Sequence, residues 1–221
     1  MVESDMGLST KEENYNMKAA EMSFRDVYHR VCFVKAGKNY EAMTQHLPNH
    51  EQGNGTLVYG YIDHQCGLTY EILACAKRNE NGSIEAFQGN DTVSLKFRAG
   101  SVAEDELFVV TEDEQLRKTY QNKIDAIERH YRNCDEIEAT RKVEAIDTSR
   151  SPEFPDDVLV ILLHGNNAPE GCWVRCEKIA DGMMAGMLLN EPDSDFGVHR
   201  GDLISFGIAQ QGNRLLCVAV L

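Results

Sequence analysis

Five short apolar segments in the last part of the chain constrain its fold most strongly. Gly, Pro, Asn and Asp residues, which favour turns, separate one segment from the next. Short segments of this kind predict β-strands, and five of them predict a small antiparallel sheet that is curled or forms a partly open barrel. The segments are residues 158–163, 172–179, 183–189, 203–206 and 215–221.

The chain before residue 150 shows a mixed pattern. Residues 9–13 fit the start of a helix. Residues 23–35 place apolar side chains three and four positions apart behind Ser23, which predicts an amphipathic helix. Strand-like alternation follows between residues 56 and 97, and Asn81-Gly82 within it predicts a tight hairpin turn. This stretch therefore predicts an antiparallel meander.

Thr111 and Glu114 form a capping box, and an apolar stripe follows from Leu116 to Tyr131, which predicts the clearest helix of the chain. A proline-containing segment, residues 147–157, follows and predicts a linker. We therefore expect an α+β protein of two parts. Residues 1–150 would form an α+β domain with N-terminal helices and an antiparallel sheet, and residues 151–221 a small five-stranded β-domain packed against it.

The charge of the chain limits its partners. The formal net charge is −14. Residues 1–150 contain 26 acidic and 18 basic residues, giving −8, and residues 151–221 contain 10 and 4, giving −6. Such a field repels nucleic acid and anionic membranes, and it attracts a basic protein. An acidic surface that serves solubility alone is the alternative.

Nothing in the sequence resembles a membrane span or a signal peptide, because the longest apolar run is short and residues 1–16 are polar. We expect a cytoplasmic protein. The seven cysteines form no CxxC motif, so we expect free thiols. Cys172 and Cys176 resemble half of a zinc site, but no second half is present, and we interpret them as small buried apolar residues. No metal or cofactor is predicted.

The segment 188–206 is the most distinctive candidate site. One interpretation is a loop that presents polar side chains to a ligand, with His199 as a general base oriented by Asp195 or Asp202. The other is an ordered connection whose polar side chains cap their own turns, and we favour it because two tight turns need these residue types. The possible ligand-binding residues here are Glu191 and Arg200.

Three further positions are weaker candidates. His164 follows an apolar segment, where sites often lie, but no GxSxG motif accompanies it, so we consider it for ligand binding rather than catalysis. His64 and Cys66 lie in one predicted turn, and neighbours in a turn seldom form a nucleophile–base pair. Trp173 lies within a predicted strand, where core packing is the default interpretation.

Three motifs between Gly171 and Phe206 suggest a family. In one-letter code they read GCWVRCEKI from residue 171, GMLLNEP from residue 186 and GDLISF from residue 201. In this order they resemble the YegJ-like bacterial domains of unknown function, whose relatives resemble immunity proteins of toxin–immunity systems. Cys176 stands where an aliphatic residue is expected. The resemblance concerns the C-terminal third of the chain and implies no catalytic residue.

Together these features favour a bacterial cytoplasmic protein without enzymatic activity. Its predicted function is protein binding, in an immunity-like or accessory role, with a basic partner. The alternative function is a small-ligand binder or hydrolase that uses the loop 191–202.

Overall fold

The computed structural model describes residues 17–89, 93–110 and 114–221. Residues 17–109 contain seven strands that form one antiparallel sheet in the order β1-β7-β2-β3-β4-β5, with β6 pairing beside β4. The strands are β1 (Met17–Lys18), β2 (Val31–Lys35), β3 (Gly55–Asp63), β4 (Gly67–Arg78), β5 (Ile84–Ala86), β6 (Lys96–Arg98) and β7 (Glu106–Val109).

Strands β3 and β4 are the centre of this sheet because nearly all of their residues are buried. One apolar cluster includes Val58, Tyr70 and Ile72, and a separate cluster joins Leu57 and Tyr59 to the helix stripe of residues 120–127. Both faces of the sheet are therefore covered, so residues of β3 and β4 are buried on both sides, including polar ones such as Thr56 and Glu71.

The described residues form five short α-helices, and three of them follow the sheet strands in the chain and precede the C-terminal strands. The predicted stripe at 116–131 faces the sheet through Tyr120, Ile124 and Ile127, although the helix is interrupted at Tyr120. The predicted cap at Thr111 lies outside the described residues. The helices are α1 (Phe24–Val27), α2 (Tyr40–Thr44), α3 (Glu114–Thr119), α4 (Gln121–Tyr131) and α5 (Asp135–Arg141). In the described residues, no helix is long and apolar enough to cross a membrane.

The predicted fold class, α+β with N-terminal helices, is wrong. The part of the chain that the structure describes is rich in sheet, and its helices are few and are not gathered before the sheet. At residues 23–35, Ser23 and Asp26 cap only the one-turn helix α1, and the chain then enters β2. The run Val31–Lys35 can bury both of its faces as a strand of the sheet, which outweighs its helical spacing. The prediction at residues 9–13 lies outside the described residues.

The last five strands close into a barrel in the order β10-β11-β12-β8-β9. The predicted curled sheet or partly open barrel is therefore corrected to a closed one, and the parallel pairing of β12 with β8 completes it. At Gly186, beside a register shift in β10, a Cβ would lie 2.2 Å from the carbonyl oxygen of Arg175, so this close approach of two strands requires glycine. The strands are β8 (Asp157–Leu163), β9 (Glu170–Ala180), β10 (Met183–Leu188), β11 (Leu203–Gln211) and β12 (Arg214–Val220).

The interior of the barrel is apolar. Alternate residues of its strands point inward, and Phe196 from the connection after β10 joins them. The fully buried side chains include Val158, Val160, Leu162, Cys172, Val174, Cys176, Leu188, Phe196 and Phe206.

Residues 147–157, predicted as a linker, lie in a packed seam between the sheet and the barrel. Asp156 receives two hydrogen bonds from the guanidinium of Arg141, at 2.8 and 2.6 Å, and Asp157 receives two from Arg175, at 2.7 and 3.0 Å. Arg150 donates to the carbonyl oxygens of Pro155 and Thr140. These buried pairs fix the segment, so it is not a free connection. The division at residue 150 stays a prediction.

Candidate functional site

The loop between β10 and β11 is held together by its own polar side chains. One carboxylate oxygen of Glu191 lies 2.7 Å from Nδ1 of His199, and the other accepts a hydrogen bond from the backbone N–H of Arg200 at 2.8 Å. Asp202 accepts from the backbone N–H of His199 at 2.7 Å. The hydrogen bond from Arg200 and the contact with His199 lower the pKa of Glu191, and Glu191 in turn raises the pKa of His199.

The other predicted residues of this region lie apart from that pair. Asp195 accepts from the backbone N–H of Gly197, and its own carbonyl oxygen accepts from Asn167. His164 contacts the backbone carbonyl oxygen of Leu221 at 2.7 Å. The structure thus brings Glu191, His199 and Asp202 together at an exposed turn, where their described contacts close the loop. A role for any of them in binding or catalysis stays a prediction.

The turn after β3 docks onto the barrel. Asp63 accepts hydrogen bonds from the backbone N–H groups of Gln65 and Cys66, as expected for an aspartate that opens a turn. The ring of His64 places Nδ1 2.8 Å from Asp156 and Nε2 3.3 Å from Glu177. Both ring nitrogens thus face carboxylates, and the structure places no nucleophile–base pair between His64 and Cys66.

The two cysteines that resembled half of a zinc site lie inside the barrel. Burial raises the pKa of Cys176 to about 12, and burial also raises the pKa of Cys172, so both thiols are neutral at physiological pH. Across the described ranges, no group of three or more His, Cys, Asp and Glu side chains is arranged to hold a metal ion.

Trp173 points out of the barrel, so its predicted core position is wrong. Its side chain is 39% exposed, whereas its neighbours Cys172 and Val174 are fully buried. Successive side chains of a strand point to opposite faces, so a residue that lies between two inward-facing residues points outward. The alternation Cys172, Val174, Cys176 in the sequence was the signal that could have revealed this orientation.

Trp173 belongs to an apolar surface that crosses three strands, which we call the outer patch. Trp173 pairs with Leu159, Ile161 pairs with Val218, and Leu163 pairs with Val220, which is 81% exposed. Gly171 lies opposite Ile161, and a Cβ at Gly171 would lie 3.3 Å from Leu159. Because glycine adds no side chain there, neighbouring Leu and Ile side chains cover its position. The outer patch consists of Leu159, Ile161, Leu163, Gly171, Trp173, Val218 and Val220.

The 188–206 loop runs beside this patch and gives it an acidic border. The backbone N–H of Trp173 donates to Asn190 at 2.7 Å, and the carbonyl oxygen of Trp173 accepts from the N–H of Leu189 at 2.8 Å. Glu170, at the start of the same strand, accepts from the backbone N–H groups of Asp193 and Ser194. Glu170 and Asp193 lie on this border, and Glu191 follows Asn190 directly in the chain, so the border brings carboxylates close to Trp173.

Comparison with known proteins finds no matching family model, curated protein or solved structure. The resemblance to YegJ-like domains therefore stays a prediction. The fold and its exposed face define a protein with a double-covered antiparallel sheet and a closed five-stranded barrel, whose outer patch is the candidate functional site.

Proposed function

We propose that this chain is a bacterial cytoplasmic binding protein without enzymatic activity, which captures a basic protein partner on the outer patch of its barrel. An immunity-like or accessory role is the most concrete form of this function. The observation that supports it most directly is the outward-facing Trp173 among apolar residues of three adjacent strands.

An exposed tryptophan on a rigid strand is a strong anchor for a protein partner. Aromatic side chains bury a large area and lose little conformational entropy, and tryptophan is enriched among the residues that dominate binding energy. Trp173 is held on both sides of its backbone by Leu189 and Asn190. Such an anchor contributes about 2 kcal/mol or more, which corresponds to roughly 30-fold in affinity.

The charge around the patch favours a basic partner over an acidic one. Glu191 and Asp193 follow Asn190, which holds the backbone of Trp173, and residues 151–221 have a net charge of −6. Complementary charge at the rim of an interface accelerates association and rejects partners of like charge. We therefore expect binding to weaken as salt is raised.

Trp173 is the chain's only tryptophan, so its fluorescence can report directly on the patch. The experiment is capture from a lysate of the native host on the immobilised full chain, followed by purification of the captured protein and titration back onto the free chain. We expect a basic protein that shifts the emission of Trp173 to shorter wavelength as the patch is covered. A tryptophan-free or separately labelled form of the partner keeps the signal specific.

Two matched variants test the location. Leu159→Ser alters the patch beside Trp173 and should weaken binding about tenfold. Met183→Ser alters a 47% exposed apolar residue at the start of β10, which pairs with Ala180 at the far end of β9 from Trp173, and should leave the affinity unchanged. Equal affinities for both variants and the parent chain, or a partner that leaves the Trp173 emission unchanged, would contradict the proposal.

A further inference from the structure

A second candidate site lies outside the barrel, in a cleft between α1, α4 and α5. The cleft has a volume of about 590 Å³, within the range of small-molecule sites. Aromatic rings form part of its wall: Tyr28 lies 6.5 Å from Phe24 and 3.9 Å from the ring of His29. The guanidinium of Arg25 stacks over Phe24 at 4.8 Å.

His29 is held in the cleft in an unusual backbone conformation. Its φ is 58°, a left-handed value that few residues other than glycine adopt. The backbone N–H of His29 donates to Gly60 at 2.9 Å, and its carbonyl oxygen accepts from Arg117 at 3.2 Å. At Gly60 a Cβ would lie 2.3 Å from the carbonyl oxygen of Val27, so the close approach that holds His29 requires glycine. Such conformations persist where the surrounding structure fixes them, and they cluster at functional sites.

The contacts of His29 determine which ring nitrogen is free. Tyr59 donates its single hydroxyl proton to the carboxylate of Glu128, and Nδ1 of His29 lies 3.1 Å from the same hydroxyl oxygen. Because that oxygen has no second proton to give, Nδ1 must carry the proton and donate. Burial lowers the pKa of His29 and so favours the neutral ring, and it outweighs the nearby charge of Glu128, which acts in the opposite direction. Nε2 then presents a bare lone pair, and the described residues provide no hydrogen-bond partner for it.

Two cations of the cleft are available to a ligand. Arg141 is engaged by Asp156 and Glu138, whereas Lys142 is exposed and forms no ion pair with any described residue. Arg132 is also exposed, and its ion pair with Asp135 is solvated and therefore weak. The cleft is also lined by Glu128, Asp135 and Glu138, which accept from Tyr59, Arg132 and Arg141 respectively. The charge of Lys142 is therefore the one that an anion can meet without competing with a described carboxylate.

We propose that this cleft binds a small aromatic anion, whose ring packs against Tyr28, whose hydroxyl donates to Nε2 of His29 in the plane of the imidazole, and whose negative group meets Lys142 and Arg132. The site is separate from the outer patch, so it does not depend on the proposed protein-binding function. Binding at this site involves no covalent step.

The test uses 4-hydroxybenzoate, a simple molecule with all three features, and measures binding to the full chain by calorimetry and by the NMR shifts of the histidine rings. We expect saturable binding at one site with a response at His29. Benzoate, which lacks the hydroxyl, and 4-hydroxybenzyl alcohol, which lacks the charge, should each bind about tenfold more weakly.

The variants separate binding from folding. His29→Asn keeps a residue that tolerates left-handed φ, and it should bind 4-hydroxybenzoate no better than benzoate. Lys142→Gln should weaken both carboxylates and reduce their salt dependence. His199→Asn, which alters a histidine outside the cleft, should change nothing. The proposal is overturned if the parent chain shows no saturable binding. It is also overturned if both His29→Asn and Lys142→Gln bind with unchanged affinity. If His29→Asn fails to fold, the affinity of Lys142→Gln alone decides the outcome.

Discussion

Two histidines of this molecule make nearly the same local contact in very different surroundings. His64 lies 2.8 Å from Asp156 in the seam between sheet and barrel, and His199 lies 2.7 Å from Glu191 on the 188–206 loop. The side chain of His64 is 10% exposed and that of Asp156 is 3% exposed, whereas those of His199 and Glu191 are 75% and 58% exposed.

Burial gives the two contacts different physical meanings. On the loop, water competes for both partners and salt screens the charges, so the pair orders a turn without contributing much to stability. In the seam, an unpaired charge would have lost its hydration without replacement. His64 there faces two carboxylates, and because a neutral imidazole can donate only once, both contacts are satisfied only by the doubly protonated ring. A histidine and a carboxylate therefore join the sheet to the barrel in the seam, whereas the same two residue types only shape a turn on the 188–206 loop.

The largest effect should come from breaking the seam at Arg141. Its side chain is 2% exposed and donates twice to Asp156, so Arg141→Met would leave a buried carboxylate with His64 as its remaining charged partner. We expect the free energy of unfolding to fall by about 3–5 kcal/mol, measured by denaturant titration.

Arg132→Met is the matched control, because Arg132 belongs to an exposed pair with Asp135. It should change the free energy of unfolding by less than about 1 kcal/mol. Similar losses for the two variants would show that burial does not distinguish the seam from the surface. Adding Asp156→Leu to Arg141→Met should recover part of the loss, since the unpaired buried charge is then removed.

A smaller, pH-dependent effect is expected at His64. Burial alone would lower the pKa of His64, but the hydrogen bonds and charges of Asp156 and Glu177 outweigh it, so the pKa is raised. A folded-state pKa above the unfolded value of about 6.5 means that the stabilisation is complete below that pH and is lost as the pH rises through the folded pKa. His64→Gln should therefore cost about 1–3 kcal/mol at mildly acidic pH and less at alkaline pH.

The measurement is the difference in unfolding free energy between the parent chain and His64→Gln across that pH range. Glu177→Gln keeps the imidazole and removes one of its two acceptors, so it should remove part of the pH dependence. A difference that stays constant, or grows with rising pH, would contradict the protonated state of His64.

The same contrast explains what the sequence could predict. The alternation of buried and exposed residues in the last five segments is a local property of the sequence. Each strand could therefore be predicted from its own residues, without knowing its neighbours in the barrel. The stripe at residues 116–127 was equally readable. Burial of Asp156 depends on Arg141 and His64, and the latter lies 92 positions away in the chain, so the proline-rich segment around it could only be interpreted as a linker.

The candidate sites show a similar limit. The loop residues Glu191 and His199 were recognisable because they are close in sequence and polar, although their contacts turn out to serve the turn itself. His29 was hidden within an apparent helix, since its backbone conformation is set by Gly60 and its ring contacts by Tyr59. Conformation imposed by a distant strand leaves no pattern in the local sequence.

The smallest effect should come from the exposed pair. Glu191→Gln keeps a side-chain oxygen that can accept from the N–H of Arg200 but removes the charge beside His199, so the denaturation midpoint should not change measurably. The pKa of His199, followed by NMR, should fall toward its ordinary value because Glu191 is the main cause of its elevation. A change in local titration without a change in global stability is what a solvated pair predicts. If the variant instead unfolded at lower denaturant concentration, the exposed pair would contribute to the stability of the barrel. Burial would then not explain the difference between His64 and His199.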